Sequence, residues 1–331
     1  MIDPITKRQI VDIPYYDDGT RISNSAIGWF MNNGPSYLKK KLDGIIPDEK
    51  GSQLEKGTMI HGYILQPDEF VKDYKVFDGQ KPKSDQQQKF CDALINSVEI
   101  EPDKRVLSAY KSAYSIVGKS EEKMLSEGLK IAKELEDYIE ACKLDCKLIS
   151  TYDMKKCQQV KFNIQQHKAA SKLLNNPDWE EHHEFHINWE CNGVKCKSLL
   201  DCVKFDFENK RCQLIDLKTT VKLWHFQDSI HQYDYMRQLS FYYMAILWYL
   251  ENERNVSFTE IADWSFEFYI VAIDSTQQSD VRVFMFDELQ VLNKGEQIVN
   301  ALIAIRWHQE NNLWEHTREY YEGDGCETLD L

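Results

Sequence analysis

No stretch of the sequence is apolar for long enough to cross a bilayer, which takes about 20 consecutive apolar residues. The opening MIDPITKRQIVDIPYYDD also lacks the continuous apolar core of a secretory signal, so a cytoplasmic chain without membrane contact is expected. Glycine and proline are sparse, 14 and 8 in 331 residues, and no Ser/Gly linker or internal repeat interrupts the chain. That excludes fibrous and low-complexity classes and predicts a single elaborated domain over 1–331. The nine cysteines (91, 142, 146, 157, 191, 196, 202, 212 and 326) are odd in number and contain no Cys-x-x-Cys pair. A secreted disulfide framework is therefore excluded, and reduced thiols are expected. Positive charge is in deficit as well: 40 Lys+Arg stand against 54 Asp+Glu, for a net charge of −14. A protein so acidic meets a polyanion only through a local basic surface.

Hydrophobic residues make up 42% of the chain, enough for a substantial buried core. Residues 22–42 and 53–66 read as helices, the second carrying Ile60, Tyr63 and Ile64 at helical spacing, with His61 inside it and Pro67 stopping it. From Glu121 to Cys142, Leu125, Leu129, Ala132, Leu135, Ile139 and Cys142 recur at steps of three and four, which predicts an amphipathic helix. Met154, Cys157, Val160, Ile164 and His167 repeat the pattern after a Ser150-Thr151-Tyr152-Asp153 start, so residues 79–175 are expected to be mostly helical. The period then changes. Residues 184–190, 194–207 and 212–220 read as three antiparallel strands joined by an Asn192-Gly193 turn and a Glu208-Asn209-Lys210 turn. A buried helix over 231–250, an alternating strand over 264–274 and a last helix over 286–310 complete the pattern.

Along a strand, side chains alternate faces, so Asp216 and Lys218 share one side while Ile215 and Leu217 take the other. Asp201 lies on the preceding strand, where cross-strand pairing can bring its carboxylate to Asp216. Two crowded carboxylates repel unless protonated or bridged by a cation, and hard oxygen ligands suit Mg²⁺ or Mn²⁺. Such an ion orients and acidifies water and offsets charge on a phosphodiester, with Lys218 beside it. By residue types alone, a surface salt-bridge ladder of Asp201, Asp216 and Lys218 on a sheet is the better reading.

The strand Leu214-Ile215-Asp216-Leu217-Lys218-Thr219-Thr220, with Asp201 before it and Gln238-x-x-x-Tyr242 after it, resembles the PD-(D/E)XK nuclease superfamily. Within it the likeness is greater to one branch, the RecE-type (exonuclease VIII-like) exonucleases of phages and prophages. Ile22-Ser23-Asn24-Ser25 and Gly34-Pro35-Ser36-Tyr37 are similar to the start of that branch. Gly57-Thr58-Met59-Ile60-His61, then Ile64-Leu65-Gln66-Pro67-Asp68-Glu69-Phe70, resemble its helix whose histidine faces the metal site. Tyr233-Asp234-Tyr235 ahead of Gln238 and Tyr242 is similar to the helix bordering its active centre. These blocks span most of the chain, with two departures: Leu200 stands where the family usually has proline, and residues 79–150 match nothing in it.

The resemblance implies an α/β (α+β) fold: a restriction-endonuclease-like core with a central mixed sheet flanked by helices. The helical insert would lie at 79–175, the catalytic sheet and helix at 180–275 and the C-terminal helix at 286–310. It implies Asp201 and Asp216 as ligands of one or two Mg²⁺ (or Mn²⁺) ions, the Leu217 carbonyl as a third ligand, and His61 completing the site. Lys218 would be the catalytic lysine, while Gln238 and Tyr242 would shape the centre and contact DNA. The implied activity is exonucleolytic, on linear double-stranded DNA with free ends, from the 5′ end, leaving 3′ overhangs for recombination. A single-strand annealing protein, a homo-oligomeric ring and the host cytoplasm of a phage are implied with it. An AddB-like single-strand nuclease, an endonuclease and a non-catalytic DNA-binding protein of the same fold are the alternatives; the intact Asp201, Asp216 and Lys218 set opposes the last.

Residue types leave other readings open. His61 also suits a core histidine bonded to a backbone carbonyl, and Gln238 and Tyr242, sharing a helix face, suit burial against the sheet. Glu184, at the start of the first strand, is a further candidate carboxylate. Between Gly193 and Lys222, seven basic residues (195, 197, 204, 210, 211, 218, 222) face four acidic ones (201, 206, 208, 216), a local surplus that favours DNA there. Lys39, Lys40 and Lys41 form a second basic cluster, and acid concentrates in 121–140 and 315–330. Cys191, Cys196, Cys202 and Cys212 raise the question of an iron–sulfur cluster, but their spacing fits no ligand pattern. Alternation sets Cys196 and Cys202 opposite Asp201, toward the core, and no cluster is expected.

Overall fold

The computed structural model describes residues 15–325, apart from 17, 48–50, 100, 145 and 175–177. Cys326, residues 1–14 and the end of the acidic C-terminal stretch lie outside the described residues. The chain divides into two compact units: one ends its first segment at His61 and resumes at Val160, and Gly62–Gln159 form the other.

The chain enters through helices α1 (Asn24–Leu42) and α2 (Ser52–Leu65), and passes into the second unit within α2. Ser23 caps α1 by accepting from the Ala26 N–H, and the helix bends where Gly34, at φ 80°, precedes Pro35. The Gly62–Gln159 unit holds α3 (Pro67–Asp73), β1 (Tyr74–Val76), α4 (Asp85–Ile95), α5 (Pro102–Ala113), α6 (Glu121–Glu134), α7 (Glu136–Cys142) and β2 (Lys147–Ile149). Its core gathers Phe90, Leu94, Val106, Tyr110, Met124 and Leu135, and β1 pairs in parallel with β2. The single helix expected over 121–142 is two, broken at Leu135, whose φ of −112° and ψ of 19° leave the helical region. The buried face also differs from the expected stripe: Met124 and Gly128 are buried, whereas Leu129 is exposed.

The other unit resumes within α8 (Thr151–Gln166), continues through α9 (Lys168–Leu174) and builds a five-stranded sheet. Its strands β3 (Glu180–Cys191), β4 (Val194–Asp206), β5 (Arg211–Thr220), β6 (Ser265–Asp274) and β7 (Val281–Phe286) lie in sequence order, with β5 and β6 parallel and every other neighbour antiparallel. Asn192 and Gly193 both take positive φ, 49° and 77°, as a two-residue turn matching strand twist requires. A parallel pair needs a crossover. Here it runs through α10 (Phe226–Gln232), α11 (Tyr235–Asn252) and the short α12 (Phe258–Ile261). After β7 come α13 (Glu288–Leu292), α14 (Gly295–Asn311) and α15 (Arg318–Glu322).

The buried helix expected over 231–250 begins only at Tyr235, after Asp234 takes φ 47° and caps it by accepting from the Arg237 N–H. Its Leu239, Phe241, Ala245, Ile246 and Leu250 seal one face of the sheet over Trp189, Leu200, Val203, Phe205, Leu214 and Phe268. The single last helix expected over 286–310 is two helices, and an edge strand that the sequence reading lacked precedes them. Val281–Phe286 pairs with β6, and Asp287 then caps α13 by accepting from the Gln290 N–H.

Candidate metal centre

The site sits where two paired strands come apart. β4 and β5 are in register from Asp206↔Arg211 to Cys202↔Ile215, and the next residues, Asp201 and Asp216, stand at the mouth of the opening. Strand β4 also slips its alternation here: Leu200 belongs to the core under α11, and so do Val203 and Phe205. Between them Asp201 faces the α11 side and Cys202 the reverse. Opposite, on β3, Glu184 takes φ 46°, so the two strands turn together and Glu184 is drawn to Asp201. The Leu217 N–H donates to Asp201 Oδ2 at 2.7 Å, closing the mouth.

Asp216 is 3% exposed, so no surface salt-bridge ladder describes it. Its contact is Lys218, whose Nζ stands 2.5 Å from Oδ2 as an ion pair, and among the described residues its carboxylate oxygens have no other hydrogen-bond partner. His61 arrives from α2, which comes close to β5 because residue 57 is glycine: a Cβ there would meet Thr219 Oγ1 at 3.0 Å. Its Nδ1 lies 3.6 Å from Asp201 Oδ2. One ligand atom each from His61, Glu184 and Asp201 falls within 4.8 Å of the others, and Asp216, held by Lys218, stands outside that triad. Helix α11 supplies the wall, where Gln238 Nε2 donates to the Tyr242 hydroxyl at 2.8 Å and the Tyr235 ring lies 5.2 Å from Lys218 Nζ.

Charge is the problem this arrangement poses. Burial, then the neighbouring Asp201, pushes the Glu184 carboxyl up to about 7. Burial raises Asp216 to about 6, with Lys218 pulling the other way, and raises Asp201 too. Burial also opposes the charge on Lys218, but Asp216 and Asp201 outweigh it and hold that ammonium up. Burial and Lys218 lower His61 to about 4, leaving a neutral imidazole with a ring nitrogen able to ligate. Three carboxylates converging without enough hydrogen bonds are what a divalent cation relieves, and their hard oxygens with one imidazole fit such an ion.

A stability signature follows. A group whose pKa is raised on folding holds a proton that the unfolded chain releases, so it costs stability as pH rises between the two values. For Glu184 the window runs from its ordinary 4.5 to about 7. His61, lowered on folding, acts in the opposite sense, so the readout is the difference between wild type and Glu184→Gln. In EDTA the melting temperature of Glu184→Gln should gain on that of wild type across this window, and a divalent cation should shrink the gap. A gap that is constant with pH would contradict the placement of Glu184.

Residues 23–327 match the family described as PDDEXK-like domain of unknown function (DUF3799). The chain belongs to that family. In this PDDEXK-like protein the five-stranded mixed sheet flanked by helices is the fold expected of the superfamily. No curated protein matches it. A crystal structure from Eubacterium rectale described as a "Putative exonuclease" is similar at 14% identity, over 98% of this chain and 96% of that one, with a TM-score of 0.49. That likeness is too weak to carry an argument.

Two expectations change. The basic surplus between 193 and 222 is mostly consumed internally: Lys197 donates to the Tyr15 and Asp18 carbonyls, and Lys204, Lys210, Arg211 and Lys218 pair with Glu181, Asp263, Glu267 and Asp216. The lysine run likewise serves the end of α1, with Lys39 paired to Asp43 and Lys41 donating to the Pro47 carbonyl. Cys196 and Cys202 do not share a face, because the slip at Leu200 and Asp201 divides them: Cys196 joins the core under α11, and Cys202 lies against Glu181 on the reverse. Tyr235, read from the sequence only as part of the block ahead of Gln238, stands in the wall beside Lys218; its signal was position, one turn before Gln238 and two before Tyr242.

Proposed function

We propose that this PDDEXK-like protein is a divalent-metal-dependent deoxyribonuclease of the RecE type, degrading one strand of linear duplex DNA from the 5′ end. The observation that carries the reading is the convergence of Asp201, Glu184 and His61 beside the buried Asp216–Lys218 pair. Asp201, Glu184 and His61 would hold the ion, Mg²⁺ or Mn²⁺, with Asp216 and the Leu217 carbonyl able to serve a second position. When bound, it supplies a Lewis acid that acidifies water and offsets charge on the scissile phosphodiester. Lys218 keeps its proton beside Asp216 and orients the attacking water or balances the charge developing on the phosphate. The Gln238–Tyr242 pair and the Tyr235 ring shape the wall against which the substrate backbone is seated. The 3′ overhangs left by such an enzyme suit a single-strand annealing partner in recombination, and a homo-oligomeric ring around the duplex would make degradation processive.

The test is a digestion of end-labelled linear duplex and closed circular duplex in Mg²⁺, Mn²⁺ or EDTA. Metal-dependent loss of the linear substrate with the circle intact, and early release of a 5′ label, is the expected result. Cleavage of the circle would make the protein an endonuclease, and no loss of linear duplex with either metal would remove the nuclease reading.

A further inference from the structure

The turn that sends Glu184 and Asp201 to one face of the sheet sends their neighbours His183 and Cys202 to the other. His183 and Cys202 are directly paired across β3 and β4, and Glu181 faces Lys204 one step along, so the four side chains form one cluster on the face opposite α11. His183 Nε2 lies 2.5 Å from Glu181 Oε1, and Cys202 Sγ lies 3.8 Å from the same oxygen. One nitrogen, one oxygen and one sulfur donor thus fall within 4.8 Å of one another. Beside them Lys204 is wholly buried, its Nζ paired with Glu181 Oε2 at 2.8 Å. Glu181 thus offsets Lys204 through Oε2 and turns Oε1 to His183 and Cys202.

We propose that Glu181, His183 and Cys202 form a second metal site, for Zn²⁺ or a similar thiolate-tolerant ion, distinct from the carboxylate-rich centre on the other face. The donor chemistry separates the two. Thiolate with imidazole selects zinc-like ions, whereas Mg²⁺ prefers oxygen. Zinc–ligand distances of about 2.0–2.3 Å require the close His183–Glu181 contact to open by under about 1 Å. Both side chains are partly exposed, which leaves them room to move and lets water take the fourth position. On binding, the Cys202 S–H bond breaks, its proton leaves to solvent, and the thiolate pair bonds to the ion. The thiolate and the Glu181 carboxylate then offset the charge of the ion, while Glu181 Oε2 stays paired with Lys204. An ion here would clamp β3 to β4 at the turn, fixing Glu184 and Asp201 from behind. This site does not depend on the nuclease reading.

The test uses the full chain, reduced and stripped of metal, titrated with Co²⁺ as a spectroscopic stand-in for Zn²⁺. A thiolate-to-Co²⁺ charge-transfer band saturating at one ion per chain, bleached by one equivalent of Zn²⁺, is expected. The band should vanish in Cys202→Ser and in His183→Gln, and persist in Glu184→Gln and Asp201→Asn, which alter only the other centre. Circular dichroism confirms that each variant is folded, and Glu181→Gln replaces any that is not. No band in the wild type, or a band indifferent to Cys202, His183 and Glu181, would overturn the site.

Discussion

Asparagine at position 216 should abolish metal-dependent DNA cleavage while leaving the fold standing. Asp216 is 3% exposed, its oxygens have no hydrogen-bond partner but Lys218 among the described residues, and burial holds its carboxyl up to about 6. Its ionised form is therefore an expense to the folded state, tolerated through the Lys218 ammonium at 2.5 Å. An amide of the same shape removes that expense but also removes the charge facing the metal and the lysine. Losing charge stabilisation at the reacting centre is worth several kcal/mol, so the rate on linear duplex should fall about 10³-fold or more. The metal-free variant should lose less stability than Lys218→Met, because the Lys218 side chain, 18% exposed, keeps water and Asp201 as counterparts. Cleavage within about tenfold of wild type would place the chemistry elsewhere, and collapse of the fold would make Asp216 structural.

Asp216 and Lys218 were legible as a pair because alternation on one strand is a local rule, and a strand rich in Leu and Ile obeys it. Asp201 was legible as its neighbour because a short turn joins β4 to β5. Glu184 was not legible at the same strength. A strand-end glutamate is ordinarily solvated, and what turns this one inward is a positive φ at a non-glycine residue, a departure no propensity encodes. The same slip reversed the expected face of Cys196 relative to Cys202. His61 was reachable from the residues only as one helical position among many. Its approach to Asp201 depends on the packing of α2 on β5 at Gly57, a contact between residues 162 positions apart.

The sheet shows the same division between local and distant causes. The hairpin β3–β4 announces itself in Asn192-Gly193, and the apolar helix α11 in its composition. The parallel pairing of β5 with β6 and the edge strand β7 depend on what lies alongside. Val281–Phe286 alternates weakly and is followed at once by helical residues, so its pattern merges with theirs until the pairing with β6 separates them. Local charge counting failed for a related reason. A surplus of lysine along a strand says nothing about exposure, and Lys197 and Lys204 lie buried with partners from distant parts of the chain or the adjacent strand.

Lys218→Met should produce the largest loss of stability at this site, and one that a metal repairs. Methionine keeps the length of the side chain but removes the ammonium, leaving Asp216 and Asp201 facing each other under burial. Removing one member of a buried pair costs about 3–5 kcal/mol, because the remaining charge is uncompensated. The cost should show in metal-free protein at neutral pH and fade as acid protonates the carboxylates, which burial already raises above their ordinary range. Mg²⁺ or Mn²⁺ should recover much of the lost melting temperature by supplying the missing positive charge. Cleavage should nevertheless remain about 10²–10³-fold down, since the ion does not replace a donor aimed at the reacting water. The double variant Asp216→Asn with Lys218→Met should be more stable without metal than Lys218→Met alone, because the stranded carboxylate is gone. Additive losses in that cycle would mean the two side chains are not coupled, and the ion-pair account of this centre would fail with them.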